Sequence, residues 1–175
     1  SSDNLVERVL KLWLSEKGPR IPWRADEVFK TIANEVREDE KGAIHPKWFD
    51  LMIGIWKASD DPSASRKIID WYTQMKALLV TPCISTLKMV TETLPRASID
   101  NGLDMVSNDL IEQWDCFTRE DKVDIANAAL EVMPLEKEIS DSILLLLERF
   151  RADDLIPKKA MIEALLSSIP IDAPA

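Results

Sequence analysis

Four segment starts recur along the chain at near-constant spacing: Pro46, Pro82, Thr118 and Pro157, separated by 36, 36 and 39 residues. Counting forward from each start aligns three columns. Five residues on stand Leu51, Leu87, Val123 and Ile162; eight on, Gly54, Val90, Ala126 and Leu165; twelve on, Ala58, Leu94, Leu130 and Ile169. Offsets that differ by three and four place these columns on one face of a helix, and every position is apolar or small. Val6, Val9 and Trp13 fit the same face in the first segment. Alternating segments carry stripes of their own: Ile68, Tyr72, Met75 and Leu79; Leu103, Val106 and Leu110; Ile139, Ile143, Leu147 and Phe150.

Apolar spacing between proline and capping signals predicts about nine helices, over 3–16, 25–38, 46–59, 62–79, 82–94, 99–115, 118–132, 135–151 and 157–169. Asp61-Pro62 and Thr81-Pro82 each set a capping residue before a proline, and a proline in the first turn loses no helical hydrogen bond. Pro46, Pro134 and Pro157 also head apolar segments, and Thr118-Arg119-Glu120-Asp121 is close to a capping box. No alternating β-branched run reads as a strand. The expected fold is all-α, a single domain over 1–175 of stacked antiparallel hairpins (a short α-solenoid). Its hairpins run over 1–45, 46–81, 82–117 and 118–156, with a final helix at 157–170, each burying its face on the next. An irregular helical bundle is the plainer alternative.

The segment Trp48-Phe49-Asp50-Leu51-Met52-Ile53-Gly54-Ile55-Trp56-Lys57-Ala58-Ser59 resembles the first helix of a pentatricopeptide repeat. Its continuation from Ala64 through Met75-Lys76 to Pro82 resembles the second helix and its exit, and the same step recurs from Phe150 to Pro157. Asp124-Ile125-Ala126-Asn127-Ala128-Ala129-Leu130 is similar to an octotricopeptide or HEAT-type helix. The resemblance covers 46–169 and rests mostly on core pattern. It implies stacked hairpins and admits RNA as a partner. The hairpin 46–81 is longer than the pentatricopeptide norm. The positions that read bases in that family hold no consistent polar set: Asp50 or Met52 in one repeat, Leu87 or Lys88 in the next.

Chemistry is sparse. Most triads and zinc sites need histidine, and His45 is the only one, placed before Pro46 where a loop or cap role suffices. Gly18, Gly42, Gly54 and Gly102 are isolated, so no glycine-rich phosphate loop exists. Asp100-Asn101-Gly102 lacks the ligand spacing of a calcium loop and reads as a turn. Asp60-Asp61, Asp153-Asp154 and Glu38-Asp39-Glu40 are neighbours in sequence, which point apart on a helix, and read as solvated ends and loops. Cys83 and Cys116 show no metal or redox spacing and read as buried free thiols, which places the chain in a reducing intracellular compartment. The expectation is a non-enzymatic chain with no cofactor and no small-molecule substrate.

Charge orders the remaining classes. The net charge is −9, and it is unevenly spread: residues 1–88 carry 14 Lys and Arg against 13 Asp and Glu, residues 89–175 carry 8 against 18. An acidic second half repels phosphate and suits basic protein partners. Only the first half has cations for a local patch: Arg20, Arg24, Lys47, Lys57, Arg66 and Lys67. The longest purely apolar run, Ile143-Leu144-Leu145-Leu146-Leu147, falls far short of the roughly 20 residues that span a bilayer, so no membrane is expected. Trp13, Trp56 and Trp71 lie in apolar stripes and read as core. Trp23 sits in Pro19-Arg20-Ile21-Pro22-Trp23-Arg24, a proline-stiffened basic segment, where Arg20, Trp23 and Arg24 are the candidate partner-binding residues. The alternative is a Trp23 folded back between hairpins. The expected function is a protein-interaction or scaffold module, with RNA binding second.

Overall fold

In a computed structural model of the chain, the described residues are 62–77 and 81–155, together with 53, 54, 56, 57, 162, 163, 165 and 166. They are all-α: five helices, two short 3-10 turns, and no strand among the described residues. The helices are α1 (Ala64–Ala77), α2 (Ile84–Ala97), α3 (Gly102–Glu112), α4 (Arg119–Val132) and α5 (Asp141–Ala152). The 3-10 turns are η1 (Trp114–Cys116) and η2 (Met133–Leu135). The chain forms two compact units, Ser1–Thr86 and Leu87–Ala175.

In the first unit, α1 buries Ile68, Ile69, Trp71, Tyr72 and Met75. Ile68, Tyr72 and Met75 belong to the expected stripe, whose fourth member Leu79 lies outside the described residues, and Trp56 and Trp71 are both core. The remaining expected features of this unit, Trp13, His45 and the segment containing Trp23 among them, lie outside the described residues.

In the second unit, Leu87, Val90 and Leu94 of α2 are all buried, as the columns require, and so are Leu103, Val106 and Leu110 of α3. Thr91 and Thr93 of α2 are also buried. Their hydroxyls donate to the carbonyls of Leu87 and Met89, each at 2.8 Å, so neither costs an unsatisfied polar group. α3 packs most extensively against α5, which buries Ile143, Leu146, Leu147 and Phe150. Ser142 on α5 donates to Asn108 Oδ1 on α3 at 2.8 Å and fixes the pair's register.

Several expectations are corrected. α5 begins at Asp141, not near 135, because Pro134 heads the turn η2 and Ser140 caps the helix by accepting from the Ile143 amide at 3.2 Å. α2 runs through Pro95 to Ala97, since a proline in a last turn costs one hydrogen bond that packing can offset. The prolines at 62 and 82 precede their helices by two residues instead of opening them. The buried stripe of α4 is Ile125, Ala126, Ala128, Ala129 and Val132, leaving Val123 and Leu130 only half-buried. Ile162 is 46% exposed. The column register is therefore tight on α2 and turned about the axis on α4. Cys83 is half-buried and Cys116 exposed, neither in a disulfide; η1 turns Cys116 outward while burying Trp114.

The start of α3 is closed from far along the chain. Asn101, in the left-handed region at φ 58°, occupies the N-cap position but offers no side-chain cap. Glu136 Oε1 instead accepts from the amides of Leu103 at 2.7 Å and Asp104 at 3.3 Å. The Asn101 amide donates to the Leu135 carbonyl at 3.2 Å, and the Lys137 amide returns to Asn101 Oδ1 at 3.0 Å. A Cβ at Gly102 would stand 2.8 Å from Leu94 Cδ2 and 3.2 Å from Ile99 Cγ1, so a larger residue there would need those side chains to shift.

Candidate functional site: an acidic groove between two helices

The second unit carries an open groove of about 490 Å³ lined by Glu92, Pro95 and Arg96 of α2 and by Asp124, Asn127, Ala128 and Glu131 of α4. Helical spacing places the lining. Glu92, Pro95 and Arg96 share the outward side of α2, opposite the buried Val90, Leu94 and Ala97. On α4, Asp124, Asn127 and Glu131 follow one another at three and four residues and face away from Ile125, Ala129 and Val132. Ala126, Ala128 and Ala129 are buried on the other side of α4 or at the groove floor.

One end of the groove is held by Lys88. Its ammonium lies 3.0 Å from Asp121 Oδ1, 3.3 Å from Asp124 Oδ2 and 3.4 Å from Glu92 Oε1. Hydrogen bonding to Asp121, then to Asp124, with the charge of Glu92 behind them, raises the lysine well above its ordinary value against the opposing effect of burial. Lys88 in turn holds Asp121 below the usual carboxylate range, helped by Thr118. Thr118 is the N-cap of α4, and its hydroxyl accepts from the Asp121 amide at 3.1 Å, the cap expected from the sequence. The lining sets three carboxylates against the single guanidinium of Arg96: Glu92 and Asp124, both paired with Lys88, and Glu131. The groove therefore attracts cations, repels phosphates and offers only Pro95 and Ala128 as apolar floor.

The expected partner-binding residues Arg20, Trp23 and Arg24 lie outside the described residues. The groove residues were missed in the sequence because each reads singly as a solvated helix position. The surplus of acid after residue 88 was the one available signal. Among the described residues no cluster of three His, Cys, Asp or Glu side chains is set to hold a metal ion. No helix of the described residues is long and apolar enough to cross a membrane. No protein-family model matches the chain, and neither curated proteins nor solved structures give a significant match.

Proposed function

We propose that this chain is a non-enzymatic protein-interaction module, a short stack of helical hairpins whose α2–α4 groove receives a basic segment of a partner protein. The acidic lining of that groove carries the reading. Glu92, Asp124 and Glu131 face a cavity with room for one or two long side chains, and a lysine or arginine supplies both the charge and the aliphatic stem that Pro95 and Ala128 accommodate. Burial of Leu87, Val90 and Leu94, and the packing of α3 on α5, the second helices of successive hairpins, support the stacked arrangement. RNA is the weaker reading, because affinity for nucleic acid rests on cations that neutralise phosphate, and this groove has the opposite sign.

The test is titration with two fluorescent peptides of equal length, one rich in Lys and Arg, the other in Glu. Only the basic peptide is expected to bind, more weakly at high salt. Glu131→Lys should weaken it about tenfold or more, equivalent to about 1.4 kcal/mol. Equal affinity for both peptides, or no effect of Glu131→Lys, overturns the assignment of the groove. Binding of a single-stranded RNA in place of the basic peptide favours the second reading.

A further inference from the structure

The carboxyl group of Glu136 is buried, with the residue 3% exposed, at a junction between the turn η2 and the start of α3. Its two oxygens are in unequal surroundings. Oε1 accepts the Leu103 and Asp104 amides; Oε2 is buried and has no hydrogen-bond partner. The charges around it are unfavourable to an anion. Asp104 on α3 and Asp100 in the preceding loop both act on it, and the ammonium of the next residue, Lys137, lies 3.7 Å from Asp100 Oδ2. Among the described residues no lysine, arginine or histidine is paired with Glu136. A buried carboxylate with one bare oxygen and two acidic neighbours is costly to keep ionised. The helix amides compensate only in part.

We propose that this junction is a proton-operated latch: ionised Glu136 holds the start of α3 loosely, and uptake of one proton from solvent on Oε2 closes it. The proton goes to the oxygen that accepts nothing, so Oε1 keeps both amides and the cap geometry is preserved. The direction agrees with the balance of forces, in which burial raises the Glu136 carboxyl above its ordinary 4.5, the Leu103 and Asp104 amides oppose, and Asp104 and Asp100 add to the rise. The sign follows by linkage. A carboxyl that titrates higher folded than unfolded stabilises the fold most at and below 4.5, and that contribution fades as pH rises through the folded value. The latch therefore tightens on acidification, opposite to the behaviour of an ion-paired carboxylate.

Two measurements on the intact chain test this. The carboxyl carbon shift of Glu136, followed by nuclear magnetic resonance, should give a midpoint above 4.5, and Asp104→Asn should lower it. Protection factors for the Leu103 and Asp104 amides, corrected for intrinsic exchange, should rise several-fold as pH falls through that midpoint. In Glu136→Gln, which keeps an oxygen acceptor, they should be flat over the same range. A midpoint at or below 4.5, or protection in Glu136→Gln that tracks pH as the native chain does, overturns the latch. Should Glu136→Gln fail to fold, the Asp104→Asn shift and the native protection profile decide alone.

Discussion

The indole N–H of Trp114 donates to Oδ2 of Asp153 at 2.8 Å, joining residues 39 apart in the chain. Trp114 is 2% exposed; its ring meets Phe150 at 5.4 Å and Phe117 at 6.3 Å between centroids, and Lys122 stands over its face at 5.3 Å. Lys122 also reaches Asp153 Oδ2 at 3.3 Å, while Arg119 donates to the Asp153 carbonyl at 2.9 Å. One carboxylate thus ties η1, α4 and the end of α5 together. Asp153→Ala should cost about 1–3 kcal/mol, the range for leaving a buried donor unsatisfied. Asp153→Asn keeps the acceptor and should cost less, as urea melts of both variants would show.

Asp154 follows as the residue that ends α5. Its φ is 54°, its amide donates to the Arg151 carbonyl at 3.1 Å, and the Leu155 amide donates to Phe150 at 3.0 Å. This is the Schellman arrangement, in which glycine is the usual occupant of the left-handed position. Asp154→Gly should raise stability by up to about 1 kcal/mol, and Asp154→Val should lower it. Thermal melts of the two, moving in opposite directions, are the check.

Acid should expose the ion pairs. Asp121 is held below its ordinary 3.8 first by Lys88, and Asp153 first by the Trp114 indole and then by Lys122. Both carboxyls bind protons less readily folded than unfolded, so their contribution is complete above 3.8 and is lost as pH falls through the folded values. Denaturation midpoints taken below pH 3.8 should fall more steeply for the native chain than for a double variant, Asp121→Asn with Asp153→Asn.

Core truncations should rank by burial. Leu87 and Leu147 are 0% and 3% exposed, and cutting either to Ala should cost about 2–5 kcal/mol. Leu130 is only half-buried, so Leu130→Ala should cost less than either. Equal losses at all three would return Leu130 to the core face.

Helices were legible wherever a stripe and a stop signal agreed. Ile68, Tyr72 and Met75 on α1, and Leu103, Val106 and Leu110 on α3, stand where periodicity puts them. The face of α4 was misjudged because Val123, Ala126 and Leu130 score well as a stripe, yet the close-packed side is built from alanines, whose value is their small size. The start of α5 was misplaced because Pro134 signals a first turn equally well for a 3-10 turn and an α-helix. Asp153 reads as one of two solvated acids, since nothing local reveals a tryptophan 39 residues upstream. The groove was invisible for the same reason: Glu92 and Asp124 meet only through Lys88.

The cap on α3 by Glu136 also bears on how this half of the chain is made. A nascent chain that has not yet delivered residue 136 carries α3 with its first amides open and the Asn101 turn without its Leu135 acceptor. An array of self-sufficient repeats can set each hairpin as it emerges from the ribosome. Here the start of α3 is capped by the connector between α4 and α5. The first turn of α3 should therefore stay open to protease in stalled chains ending before 136, and the whole helix should become resistant only once 136 and the α5 segment it packs on, Asp141–Ala152, have emerged.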